Sequence, residues 1–135
     1  YAQFIQNQLT EVGIPVEIES LEFQTMLQQL QRGQYQMTTG RWVGGNQDPI
    51  FLRDLFASSE IPSESRASRN RSRYSNAQVD DLLIKAINAT DRARAKDFYA
   101  QAQEIISREV PMLPLWYPAN MVVANKRVGN IKVNA

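Results

Sequence analysis

FIQNQLTEVGIPVEIESLEFQTMLQQLQRGQYQMTTGRW, residues Phe4–Trp42, changes its apolar period three times and ends on an arginine beside a tryptophan. Phe4, Ile5, Leu9 and Val12 recur at helical spacing, and Gly13 follows as a stop. Ile14, Val16 and Ile18 then alternate with Glu17 and Glu19 in the period of a strand, with Pro15 marking its end or edge. Phe23, Met26, Leu27 and Leu30 outline a second helix closed by Gly33, and a strand-like run from Tyr35 to about Trp42 completes the series. Helix, strand, helix and strand in that order imply a parallel pair with a right-handed crossover, hence an α/β fold. Ligands of such sheets gather at the carboxyl ends of the strands, which is where WVGGNQDP, residues 42–49, falls.

Downstream, Asp48 suits the N-cap of a short helix with Pro49 in its first turn and Phe51, Leu52, Leu55 and Phe56 as its apolar side. Residues 57–74 are polar and serine-rich, and are expected to form a long loop that is solvated or laid against a neighbour. Ser75 and Gln78 have capping-box spacing ahead of Val79, Leu82, Leu83, Ala86 and Ile87. Thr90 or Asp91 opens a further helix with Ala95, Phe98, Tyr99, Ala102, Ile105 and Ile106 inward, and Pro111 ends it by disfavouring helical geometry at Val110. MLPLWYP and NMVVAN read as extended segments, and NIKVNA as a final strand or a loose end.

With 135 residues, 43% hydrophobic and 21% charged, the chain has the composition of one globular domain, residues 1–135. It opens inside what reads as a helix, so it is expected to be a piece of a larger protein. Lys and Arg total 15 against 14 Asp and Glu, which gives no general field for nucleic acid or an anionic membrane. No apolar run reaches membrane-spanning length. Cysteine and histidine are both absent. That excludes thiol nucleophiles, Ser-His-Asp relays and thiolate or imidazole zinc sites from this chain.

What chemistry remains is thin. Asp80 and Asp81 are adjacent, so on a helix they point apart, and they suit the dipole of a first turn. Asn46, Gln47 and Asp48 offer oxygens without the spaced acidic series of a calcium loop. No metal, cofactor or catalytic role is expected. Arg66, Arg69, Arg71 and Arg73 form a basic run with Tyr74 as its only ring and no lysine, which argues for a solvated loop over nucleic-acid binding and leaves one arginine to reach a ligand carboxylate. Trp42 has two readings, partial core or a flat wall of a solute site. Gly44 and Gly45 beside it leave backbone amides uncovered, which suits close approach by a ligand and equally suits a tight turn. Trp116 and Tyr117 lie between prolines and read as cover for the sheet.

In combination, these features resemble the extracellular solute-binding proteins of family 5, the peptide- and nickel-binding components of ABC importers. The resemblance rests on AQFIQNQLTEVGIPVEI, on GQYQ before the second strand, and on Trp42 with Asp48 and Pro49 six residues later. It continues through RNRSRYSNAQVDDLLIKA with Asn70, Tyr74, Asn76 and Asp80, then TDRARAKDFYAQAQEII and VPMLPLWYP. It implies most of one α/β lobe, three-layer-like with a mixed sheet and flanking helices, from a bilobed periplasmic, extracytoplasmic or lipid-anchored receptor. The expected partners are a small solute or short peptide and the membrane permease, with no nucleic acid, no membrane insertion of this segment and a monomeric state. The resemblance places Trp42, Gly44, Gly45 and Asn46 on the cleft wall, with Arg41 beside them. It shows two departures. Gly45 stands where peptide-binding members carry the Asp that holds the ligand's amino group, and Arg41 stands where glycine is usual. The alternative is a solute-sensing domain of a regulatory protein with the same fold.

Overall fold

The computed structural model describes residues 1–42, 48–119 and 121–131. Five α-helices follow one another: α1 (Ala2–Glu11), α2 (Phe23–Arg32), α3 (Phe51–Phe56), α4 (Ala77–Asn88) and α5 (Arg92–Glu109), with a 3-10 turn at Ser58–Glu60 after α3.

The ends of α1 and α2 are built from local rules. Gly13, at φ 82, donates its amide to the Thr10 carbonyl while Ile14 reaches the Leu9 carbonyl, so the last carbonyls of α1 are met by a left-handed glycine closure. Gly33, at φ 72, closes α2 in the same way through its own amide and that of Gln34. At the front of α2 the Glu22 carboxylate accepts the amides of Gln24 (2.8 Å) and Thr25 (3.1 Å), and those two hydrogen bonds hold its pKa below the ordinary carboxylate range.

The core lies in the second half of the chain. α4 and α5 are joined by three residues and fold back on one another. Val79, Leu82, Leu83 and Ala86 keep the i, i+3, i+4, i+7 stripe of α4 and meet Tyr99 and Ala102 of α5 and Ala57 after α3. Leu52, Tyr74, Phe98, Ile105 and Ile106 pack around that cluster. Ile87, expected on the inner face, is exposed, one position past the buried stripe that ends at Ala86.

Two caps differ from the expected positions, and a third settles an open pair. The side chain that caps α4 belongs to Asn76, accepting from Gln78 (2.9 Å) and Val79 (3.2 Å), one residue past Ser75. Asp91, and not Thr90, caps α5 by accepting the Ala93 amide (3.0 Å). Asp48 does not occupy the N-cap of α3: that place is held by Ile50, and Asp48 accepts the Ile50 amide at 2.9 Å in a turn that leads into the helix. The end of α5 does fall before Pro111, with Val110 in the left-handed region at φ 46.

The stretches read as strands form no helix in the structure, and among the described residues they pair with nothing. The only bridge there is an isolated one between Ser63 and Arg66. A strand exists by its ladder, and residues 14–18, 35–42, 112–119 and 121–123 find no ladder partner among the described residues. Their apolar side chains stay outside: Ile14, Ile18, Met37, Leu113 and Val123 are exposed. Trp116 does not cover a sheet; it is more than half exposed and meets the ring of Tyr1 edge-on at 5.3 Å, while Tyr117 is fully exposed.

Candidate ligand-binding site

Trp42 lies ten residues past the end of α2, and it is half-buried. Its ring stands edge-on to Phe51, the first residue of α3, at 6.1 Å and 75°. The Arg71 guanidinium covers it at 4.8 Å from the centroid. Arg69 in turn lies 5.7 Å from the Phe51 centroid. Two adjacent rings thus lie between two guanidinium groups along one edge, Arg71, Trp42, Phe51 and Arg69 in order. Each contact gains from the ring quadrupole.

What sets Arg69 and Arg71 in place is the 58–74 loop, which is not merely solvated. Asn70 is completely buried at its centre. Its amide donates to the carbonyls of Ala57 and Tyr74 (both 2.8 Å), and its oxygen accepts from the Tyr74 amide and the Ser72 hydroxyl (both 3.1 Å). All the polar capacity of a buried group is used, as burial requires. Arg66 forks onto the Glu60 carboxylate (2.8 Å) and reaches the Ser59 carbonyl (2.6 Å), and Arg69 pairs with Asp54 (3.0 Å). Arg73 donates to the Gln31 carbonyl (2.9 Å), the Gln31 amide donates to Ser63 (2.8 Å), and the Tyr35 hydroxyl donates to the Arg71 carbonyl. These last three tie the loop to α2 and to the segment that carries Trp42.

Between α2 and this loop runs a groove of about 240 Å³, lined on one side by Gln24, Gln28 and Gln31 and on the other by Ser68 and Arg71. The Ser68 hydroxyl is buried with no hydrogen-bond partner.

The carboxylates weighed for chemistry have structural duties. Asp80 accepts the Ser58 amide (2.8 Å) and hydroxyl, fastening the 3-10 turn to α4, and Asp81 pairs with Lys85 at 2.6 Å. Glu109, at the end of α5, accepts the Tyr74 hydroxyl (2.5 Å) and the Asn76 amide (2.9 Å). Those donors lower the Glu109 pKa, Tyr74 first. Burial, then the hydrogen bond and charge of Glu109, push the Tyr74 phenol up to about 12. Among the described residues no group of three acidic side chains could hold a metal.

Of the expected site residues, Trp42 lies on the ringed edge and Arg41 stands exposed beside it. Gly44, Gly45 and Asn46 lie outside the described residues. Arg71, Asn70, Ser68 and the glutamine face of α2 were not expected. The basic run signalled cations without saying which one would meet a ring, and GlnXXXGlnXXGln, residues 24–31, cannot be told from an ordinary wet helix face in sequence.

Comparison with known proteins gives one consistent direction. The family described as bacterial extracellular solute-binding proteins, family 5 Middle, matches residues 1–63. Di/tripeptide-binding protein 2 of Pseudomonas aeruginosa is 29% identical over 98% of this chain and 24% of its own length. The peptide transport periplasmic protein SapA of Haemophilus influenzae is 27% identical over 98% of this chain and 23% of its own. Among solved structures, the ABC transporter-associated periplasmic binding protein DppA from Helicobacter pylori in complex with peptide STSA superposes with a TM-score of 0.72 at 36% identity, covering 82% of this chain and 21% of that one. Likeness to a periplasmic binding protein agrees with an α/β class. The chain spans about a quarter of the length of the curated relatives it matches.

Proposed function

Because the chain belongs to the bacterial extracellular solute-binding proteins of family 5, we propose that it forms part of one lobe of a two-lobed receptor that captures a peptide or peptide-like solute and delivers it to an ABC importer permease. The observation that carries this reading is the 36% identity to a binding protein whose structure holds a peptide, together with the ringed edge built around Trp42. In this reading Trp42, Gly44, Gly45 and Asn46 line the cleft and Arg41 borders it. A flat aromatic beside residues without side chains suits an extended ligand lying close to backbone. Capture by closure of lobes needs no catalytic group, and the protein is read as a binding protein and not an enzyme.

The same reading accounts for the unpaired segments. Ile14–Ile18, Tyr35–Trp42 and Met112–Val123 become strands of a mixed sheet in a three-layer-like lobe when the rest of the receptor supplies their ladder partners. Their exposed apolar side chains support it, since sheet faces of this kind are ordinarily covered. A periplasmic or extracytoplasmic location follows the relatives, and the receptor is read as a monomer.

The test is mass spectrometry of solutes that co-purify with the protein expressed from its complete open reading frame, followed by calorimetry with the solutes found. Short peptides are expected, with affinity lost in Trp42→Ala. Recovery of sugars or metal complexes alone, or peptide binding indifferent to Trp42, overturns the reading.

A further inference from the structure

The face of an aromatic ring attracts a cation, and both rings of the candidate site are already served by cations of the chain itself. The Arg71 guanidinium lies 4.8 Å from the Trp42 centroid, and that of Arg69 lies 5.7 Å from the Phe51 centroid. A ring polarised by one cation offers less to a second. The second also meets the first by like-charge repulsion.

The carboxylates of the same segments do not offset these charges. Asp54 is shared between Arg53 (2.9 Å) and Arg69 (3.0 Å), and Asp48 accepts the Ile50 amide at 2.9 Å. Among the described residues of 41–54 and 69–71, four arginines, Arg41, Arg53, Arg69 and Arg71, stand against those two aspartates. Nor does the charge leave the edge. An arginine does not lose its proton in a protein. The Arg71 backbone is pinned as well, since its carbonyl accepts the Tyr35 hydroxyl and its neighbour Asn70 is completely buried.

We infer that the edge made by Arg71, Trp42, Phe51 and Arg69 selects against a ligand ammonium, so that the solute presents an uncharged end there, as an N-acylated peptide does in place of a free amino terminus. The inference rests on the reading of the protein as a peptide receptor and names the class of peptide it takes. Arg69 and Arg71 then determine specificity by exclusion: they hold the ring faces and the local charge, and need no bond to the ligand.

Calorimetry on the protein expressed from its complete open reading frame tests this, with Ser-Thr-Ser-Ala and its N-acetyl form as probes. At pH 6 the native protein is expected to bind the N-acetyl form about tenfold more tightly, a like-charge penalty between the limits of bulk water and a protein surface. A peptide amino group ordinarily titrates at about 7.7–8.0. Affinity for the free amine therefore rises toward that of the N-acetyl form by about pH 9, while the N-acetyl form shows no such rise. Arg71→Gln cuts the preference to about threefold or less, Arg71→Lys keeps most of it, and about 1 M salt shrinks it, because charges are then screened within about 3 Å. A preference that is the same at pH 9, in high salt and in Arg71→Gln reports packing of the acetyl group and overturns the inference. Equal or tighter binding of the free amine at pH 6 also overturns it and leaves peptide capture standing, with loss of that binding in Asp48→Asn assigning the ammonium to Asp48. Binding of neither form removes the peptide reading and the inference together.

Discussion

Arg71 sets its guanidinium 4.8 Å from the ring centroid of Trp42, so a residue of the arginine-rich loop covers one face of the aromatic that ends the 35–42 segment. Two stretches almost thirty positions apart thereby share one surface.

Trp42→Ala removes the stack on Arg71 and the edge contact with Phe51 at 6.1 Å. For a half-buried indole the expected loss is about 2 kcal/mol of stability, smaller than for a core tryptophan, together with loss of solute affinity. Trp42→Phe keeps a ring between the two neighbours and recovers most of the stability. Chemical denaturation and calorimetry on the same preparations check both. Unchanged affinity with a large stability loss would return Trp42 to the core.

Asn70→Ala strips the 58–74 loop of its centre. The carbonyls of Ala57 and Tyr74 and the Tyr74 amide lose their partner at a site with no solvent exposure of the asparagine. A loss of about 2–4 kcal/mol is expected, with new proteolytic cuts between residues 58 and 74. Asn70→Asp is nearly as costly, because it replaces the donating amide by an acceptor facing two carbonyls. A loop that stays protected in either variant argues that Asn70 is not its anchor.

Gly33→Ala tests the closure of α2. The glycine stands at φ 72, and an added Cβ would lie 2.5 Å from the Arg73 Nε, whose guanidinium bonds the Gln31 carbonyl. Left-handed strain plus a displaced arginine predicts a loss of about 1–3 kcal/mol. Removing the side chain at Arg73 as well returns the steric share and leaves the backbone share, a partition readable from a double-mutant cycle in denaturant melts.

The contact of Tyr74 with Glu109 makes stability depend on pH at both ends. Tyr74 is raised to about 12 in the folded protein, from an ordinary value near 10. The folded state therefore binds the phenolic proton more tightly, so its contribution is complete below pH 10 and is lost as pH rises toward 12. Glu109 is lowered, so its contribution is present above the ordinary carboxylate range and fades as acid protonates it. Denaturation midpoints between pH 9 and 12 are expected to fall less in Tyr74→Phe than in the native chain, with a residual slope from Tyr99, which burial also raises. Glu109→Gln is expected to flatten the acid limb. An alkaline slope identical in Tyr74→Phe excludes the contact as its source.

The parts of the molecule legible in sequence are those decided within a few residues. Gly13 and Gly33 stop helices because their left-handed closure needs only the turn before them, and Val79, Leu82, Leu83 and Ala86 share a face because a helix has one period. Caps slipped by a residue or two, Ser75 for Asn76 and Asp48 for Ile50, because several polar side chains near a helix start compete for the same amides. The α/β pattern was legible as alternation, yet Ile14–Ile18 and Tyr35–Trp42 stay unladdered here, since the hydrogen bonds of a strand belong to a neighbour.

The candidate site divides the same way. Trp42 could be singled out from its company of glycine, arginine and Asp-Pro. Arg71 could not be told from Arg66, Arg69 and Arg73, and Ser68 could not be told from six neighbouring serines. Which arginine meets a carboxylate and which meets a ring was decided by the buried Asn70 and by the anchors of the loop on α2. By itself the sequence determined the helices, their stops and the family to which the chain belongs. Only the tertiary structure chose among like residues, because local geometry is written in short-range hydrogen bonds and steric limits, while the partner of a long polar side chain depends on what distant segments bring within about 3 Å of it.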